Sequence, residues 1–224
     1  MGHGGHGSTR CTSGWWFCEA VPVNEADPRP RAASGSRRTG ETDIEVSVAV
    51  DGSGTTDCST GIPFFDHMLD QLGRHGGMDL RVAAEGDTAV DAHHTVEDTG
   101  ILLGTVLSDA LGDRRGVRRF ASIRTPLDEA LVEAVLDLSG RPYVHYDVDP
   151  PGQKILGDPP FDPQLMEEFW RAFAGSAKVT LHIELIRGVN THHIIEASVK
   201  AVARALRDAV RVEGDEVPST KGVL

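Results

Sequence analysis

The sequence predicts an α+β protein that contains an internal duplication. Short stretches in which apolar and polar residues alternate, typical of half-buried strands, are interspersed with longer stretches of helical periodicity. The order helix, strand, helix occurs twice, and each time the second helix opens with the pattern His-His-x-x-Glu, first at His93 and again at His192. These two positions lie 99 residues apart in a chain of 224 residues. A doubled pattern at equivalent positions indicates a doubled site.

The elements of the first half follow from periodicity and from residues that break it. A half-buried strand entering a hairpin is predicted in ETDIEVSVAVDGSG, where Ile44, Val46 and Val48 alternate with polar residues. An amphipathic helix is predicted in PFFDHMLDQLGRHGG, because it opens with Pro63 and stops at Gly76. A strand follows in MDLRVAAEGD and a long helix in HHTVEDTGILLGTVLSDALGD.

The second half repeats this order. A strand-rich stretch over residues 120–148 precedes a helix in DPQLMEEFWRAFAGSA, a strand in KVTLHIELIRG and a long helix in HHIIEASVKAVARALRDAV. Residues 1–36 differ, because they are rich in Gly, Ser, Pro and Arg without sustained periodicity. We therefore expect a disordered extension over 1–36, a first half-repeat over 37–115 and a second over 116–224.

Composition and charge exclude several classes of function. The chain is 39% apolar and 25% charged, which is ordinary for a soluble globular protein. It contains no apolar run near the roughly 20 residues of a membrane span and no signal-peptide pattern at its N-terminus, so a cytoplasmic location is expected. A net charge of -12 argues against nucleic acid and anionic membranes as partners, although a small anion could still bind a local basic pocket.

The spacing of the doubled pattern suits metal binding. On a helix, residues four positions apart share a face, so His93 can point with Glu97, and His192 with Glu196. The second histidine of each pair lies about 100° around the axis, so adjacent histidines need not bind the same ion. Imidazoles with a carboxylate suit a borderline divalent metal such as Mn, Fe or Zn, whereas a cysteine-type structural zinc site is disfavoured. Neutral imidazole is the ligating form, so affinity should fall in acid.

From about Arg37 to Leu224, the chain resembles the imidazoleglycerol-phosphate dehydratase family, which are lyases of histidine biosynthesis. The resemblance is carried in order by FFDHMLDQLGRHG, DAHHTVEDTGILLG, DLSGRPY, HHIIEASVKAVARAL and PSTKGVL. It implies two similar βα halves, each a four-stranded mixed sheet with two helices, packed helix face to helix face. It also implies a homo-oligomer of twenty-four subunits, built from trimers, with two Mn²⁺ per active site. In such a shell, ligands from the first repeat of one subunit can meet those from the second repeat of a neighbour.

The resemblance also assigns roles to residues. Glu41 is implied as the general acid/base, and relatives carry either histidine or glutamate at the position of Glu168, the repeat counterpart of His67. The implied metal ligands are His67, His93, His94, Glu97, Glu168, His192, His193 and Glu196. The implied substrate-binding residues are Gln71, His75, Arg119, Arg141, Lys200, Ser219 and Lys221, of which the last five match a phosphate pocket. His145 and His182 fall on no ligand position, and we expect them to be structural.

The implied reaction removes water from D-erythro-imidazoleglycerol phosphate and yields imidazole acetol phosphate. The implied route passes through a metal-bridged imidazolate and a diazafulvene-like intermediate. Two alternatives stay open on sequence: a different dimetal enzyme, such as a hydrolase with a metal-activated water, and a metal-storage or metal-sensing shell without catalysis. The basic residues near the ligands disfavour storage but do not exclude hydrolysis.

Overall fold

A computed structural model describes residues 31–151 and 155–224 of the chain. The first half contains β1 (Ala32–Arg38), β2 (Thr42–Ala49), β3 (Thr56–Ser59), α1 (Pro63–Gly76), β4 (Asp79–Gly86) and α2 (His93–Leu111). The second half contains β5 (Phe120–Leu127), β6 (Ala130–Asp137), β7 (Tyr143–Asp147), α3 (Leu165–Ala177), β8 (Thr180–Arg187) and α4 (Thr191–Ala209). None of the described helices is both long and apolar enough to cross a membrane.

The two halves have the same topology. Their four-stranded sheets have the orders β1-β2-β4-β3 and β5-β6-β8-β7. Within each sheet the last pair is parallel and the others are antiparallel. The parallel pairs are joined through α1 and α3, because parallel neighbours need a crossover connection. The predicted duplicated α+β fold with mixed sheets is therefore confirmed.

Two details at the start of the fold differ from the prediction. β1 begins at Ala32, so the last residues of the segment 1–36 belong to the first sheet. The sequence AASGSRR shows no apolar alternation because the inward-facing Gly35 leaves room for Leu102 and Val106 of α2. The prediction that β2 enters a hairpin is also wrong, because the next strand, β3, pairs with β4 and not with β2. Residues 1–30 lie outside the described residues.

The halves meet through their helices, with α1 packed against α4 and α2 against α3. In α2, Gly100 and Gly104 face the backbone of Phe169 and Phe173, so the two helices run in the same direction. A Cβ at Gly104 would lie 2.3 Å from the Phe173 carbonyl oxygen, so only glycine permits this approach. Parallel pairing places the N-terminal ends of both partners at the same end of the molecule.

Candidate metal and substrate site

Three potential metal ligands converge where the N-terminal parts of α1 and α4 meet. The ligand atoms of His67, His192 and Glu196 all lie within 4.8 Å of one another. His192 Nε2 is 3.0 Å from Glu196 Oε2, and His67 Nε2 is 3.4 Å from the same oxygen. Glu196 is buried, with 8% of its surface exposed. Two imidazole nitrogens and a carboxylate oxygen at this spacing form a donor set that fits a divalent cation.

This cluster combines residues of both halves within one chain. The ligands predicted from the sequence were grouped by half-repeat. In the structure, His67 of the first half lies beside His192 of the second, because α1 packs along α4. By the duplication, the counterpart set is Glu168 of α3 with His93 and Glu97 of α2. His93 Nε2 lies 3.8 Å from Glu97 Oε2, so the predicted shared face is present. Within residues 31–151 and 155–224, however, Glu168 forms no hydrogen bond or ion pair with either of them. These three residues therefore do not converge in one chain as the first set does.

The second histidine of each pair faces away from the first, as the helical spacing predicted. His94 Nδ1 lies 3.2 Å from both carboxylate oxygens of Asp87, and His193 Nδ1 lies 2.8 Å from Glu129 Oε2. These hydrogen bonds raise the pKa of both histidines. The hydrogen bond from His193, together with two backbone amides, lowers the pKa of Glu129 to about 2. Asp87 and Glu129 were missed at the sequence level.

The candidate general acid/base, Glu41, lies just before β2 and beside the N-terminal end of α2. Its Oε2 is 3.8 Å from His94 Nδ1, which is beyond hydrogen-bond distance, and 54% of its side chain is exposed. Within the described part of the chain, its carboxylate is therefore accessible and not committed to a close partner.

Lys200 connects the cluster to further polar residues along the α1–α4 pair. Its Nζ is 2.7 Å from Glu196 Oε1, one helical turn away. Burial acts to raise the pKa of Glu196, but the hydrogen bond and charge of Lys200, together with His192, outweigh it and lower the pKa. Gln71 Oε1 lies 3.0 Å from His75 Nε2. Burial and the nearby charge of Lys200 lower the pKa of His75, which favours a neutral imidazole.

The other predicted phosphate-binding residues gather where the C-terminal tail crosses the second half. Arg119 donates from Nε and Nη2 to the Asp137 carboxylate, at 2.7 and 3.2 Å, and from Nη1 to the Pro218 carbonyl at 2.7 Å. A Cβ at Gly140 would lie 2.4 Å from the Leu224 carbonyl carbon, so the tail also packs beside Arg141. These contacts bring Arg119 and Arg141 to the segment that carries Ser219 and Lys221. Arg119 anchors the tail, and its phosphate role stays a prediction.

The residues Arg119, Arg141, Ser219 and Lys221, called the basic cluster below, lie at the opposite end of α4 from the metal cluster of His67, His192 and Glu196. Arg119 donates its backbone N–H to the carbonyl of Ala209, the last residue of α4, at 2.9 Å. A helix of 19 residues is roughly 28 Å long at its usual rise. His192 lies in the first turn of this helix. His145 and His182, which pair in register on β7 and β8, are also apart from the metal cluster.

Comparisons with known proteins agree with this arrangement. The family profile of imidazoleglycerol-phosphate dehydratase matches residues 60–206. A curated protein of that name from Ruegeria sp. (strain TM1040) is 55% identical over 197 residues, which cover 87% of this chain and 100% of the relative. A second, from Acidothermus cellulolyticus, is 50% identical over 201 residues, which cover 89% of this chain and 96% of the relative.

Two solved structures share the fold. The imidazoleglycerol-phosphate dehydratase of Staphylococcus aureus subsp. aureus N315 has a TM-score of 0.72 at 37% identity and covers 81% of this chain and 99% of its own. The Pyrococcus furiosus enzyme, in complex with (S)-C348, has a TM-score of 0.71 at 34% identity. The match covers 85% of this chain and 100% of that enzyme's chain. The chain therefore belongs to the imidazoleglycerol-phosphate dehydratase family of carbon–oxygen hydro-lyases.

Proposed function

We propose that this chain dehydrates D-erythro-imidazoleglycerol phosphate to imidazole acetol phosphate in L-histidine biosynthesis, in a metal-dependent reaction. The observation that carries the metal dependence is the convergence of His67, His192 and Glu196. Membership of the family supports the substrate and the reaction. A metal centre beside a lysine also fits an anionic substrate in an otherwise acidic protein.

Extending the observed triad to its counterpart in the duplication, we infer two Mn²⁺ per active site. One ion would be held by His67, His192 and Glu196, and the other by His93, Glu97 and Glu168. His94 and His193 face away from these sets and would complete the centres of neighbouring copies. When bound, the ions would supply Lewis acidity to the substrate ring and so favour its deprotonated, imidazolate form.

The remaining residues would bind the substrate and move its protons. Glu41 would remove the proton from the carbon adjacent to the one that loses its hydroxyl, since its carboxylate is accessible and lacks a close partner among the described residues. Lys200 would offer its ammonium to the phosphate while keeping Glu196 ionised. Gln71 and a neutral His75 would add hydrogen bonds to the substrate from the same helix pair.

The geometry favours a site made by more than one copy. The basic cluster of Arg119, Arg141, Ser219 and Lys221 is separated from His192 by roughly the length of α4. A substrate that consists of one five-membered ring, a three-carbon chain and a phosphate is much shorter than that. If all these residues contact one substrate, different subunits must supply them, which supports a homo-oligomer. The proposed number of twenty-four subunits and the proposed cytoplasmic location rest on the family resemblance and on the sequence.

The test is dehydration of imidazoleglycerol phosphate by metal-stripped protein, with and without added Mn²⁺. We expect imidazole acetol phosphate only with metal, and light scattering of the same samples to report a large assembly. His67→Gln should abolish turnover, whereas His182→Gln on β8 is the matched control and should retain it. Inorganic phosphate should be measured in parallel. Full metal occupancy without dehydration would refute the proposal, and phosphate release would favour the dimetal hydrolase instead.

A further inference from the structure

The duplication places Glu129 in the second half where Glu41 stands in the first. Each glutamate directly precedes a central strand, Glu41 before β2 and Glu129 before β6. Each also lies beside Nδ1 of the second histidine of its half. The two glutamates nevertheless have different partners, and this difference shows how the halves have diverged.

In the first half, Asp87 holds the histidine and Glu41 does not. Both oxygens of Asp87 lie 3.2 Å from His94 Nδ1, while Glu41 Oε2 is 3.8 Å away. Asp87 follows β4 directly, and its backbone N–H donates to the Glu41 carbonyl at 3.1 Å. The orienting carboxylate is thus supplied by a residue other than Glu41, whose own carboxylate remains available.

The second half has no room for an aspartate at the position equivalent to Asp87. The residue that directly follows β8, equivalent to Asp87, is Gly188. A Cβ at Gly188 would lie 2.6 Å from Cγ1 of Ile194, which is fully buried, and 3.2 Å from Cβ of Ala130. An aspartate would not fit there without moving the core. In the second half, the carboxylate that contacts His193 therefore comes from a different position.

Glu129 meets His193 and also fixes the start of α4. Its Oε2 lies 2.8 Å from His193 Nδ1, and its Oε1 accepts hydrogen bonds from the backbone N–H groups of Val189 and Asn190 at 3.1 and 2.7 Å. Asn190 in turn caps α4 by accepting from the backbone N–H groups of His192 and His193. The ring and the helix end that carries it are therefore held by one carboxylate.

We infer that Glu129 is a positioning residue that holds the His193 ring with Nδ1 protonated, as Asp87 does for His94, so that Nε2, which lies 3.9 Å from Asp128 Oδ2, can bind a metal. Metal-binding histidines commonly donate their other ring N–H to a carboxylate, which sets the tautomer and makes the ligating nitrogen more basic. The inference rests on the proposed function, because it takes His193 as a metal ligand. It also explains why Glu41 and Glu129 cannot exchange roles, since the carboxylate of Glu129 is fully engaged.

The experiment is calorimetric titration of Mn²⁺ into metal-stripped protein carrying Glu129→Ala or Glu129→Gln, with Mn²⁺ electron paramagnetic resonance to count bound ions. We expect both variants to weaken one class of site by about 10- to 100-fold, and Glu129→Ala more than Glu129→Gln. Asp87→Ala should do the same through His94. The matched control is Glu133→Gln on β6, whose carboxylate pairs with Arg124 on the sheet surface, and it should bind like the unaltered protein.

Melting temperatures of the metal-free variants separate positioning from a purely structural role. A lower melting temperature with unchanged Mn²⁺ affinity would overturn the inference, and should Glu129→Ala not fold, Glu129→Gln decides the matter alone. If the unaltered protein bound no Mn²⁺, the proposed metal centre would fail, and the inference with it. If it bound Mn²⁺ and the Glu129 variants bound equally well, only the inference would fail.

Discussion

The close approach of α2 and α3 leads to a sharp prediction about stability. In Gly104→Ala the new Cβ would lie 2.3 Å from the Phe173 carbonyl oxygen and 2.9 Å from the Ala177 nitrogen, so the backbones must separate. Overpacking of this kind costs about 3 kcal/mol at the upper end of its usual range. Replacing an interior helical glycine by alanine returns about 1 kcal/mol. A net loss of about 2 kcal/mol remains, which should lower the melting temperature by about 4–8 °C in a domain of this size.

The matched control is Gly175→Ala on α3, where a Cβ would meet no atom of the described residues within 4 Å. This variant gains the helix propensity without the clash, so its melting temperature should stay level or rise. Differential scanning calorimetry of the metal-free proteins at equal concentration measures both. Equal melting temperatures for Gly104→Ala and Gly175→Ala would contradict the packing described for α2 and α3.

Further predictions concern the chemistry. Glu41→Gln should lower kcat by about 10²- to 10⁴-fold without changing Mn²⁺ affinity, and steady-state kinetics with kcat retained would count against a proton-transfer role. Lys200→Met leaves the buried Glu196 carboxylate without its cation, so we expect a raised KM and a lower melting temperature of the metal-free protein. An unchanged KM and an unchanged melting temperature would contradict this role of Lys200. Because protonated imidazole cannot bind metal, and hydrogen bonds to Asp87 and Glu129 raise the pKa of His94 and His193, Mn²⁺ affinity should fall as the solution is acidified, in calorimetric titrations at several pH values; a flat profile would argue against imidazole ligands. His182→Ala should leave Mn²⁺ binding unchanged, and a large loss would add an unassigned ligand.

The sequence by itself determined the elements with strong periodicity. The helices over Pro63–Gly76 and His93–Leu111 end where predicted, because glycines mark both C-terminal ends, and Pro63 likewise marks the start of the first. The doubled His-His-x-x-Glu pattern likewise predicted that His192 and Glu196 share a helix face, and they lie 3.0 Å apart. Such features depend on residues within one or two turns, so the local sequence contains them.

Only the tertiary structure decided which of these faces meet. β1 and β3 were missed because short strands of small and polar residues carry little apolar alternation. The pairing of α1 with α4, which brings His67 to Glu196, depends on contacts between residues more than a hundred positions apart. The carboxylates of Asp87 and Glu129 reach their histidines through loops that no periodicity describes. Local propensity limits what each segment can form, but the choice among partners is made by packing of the whole chain.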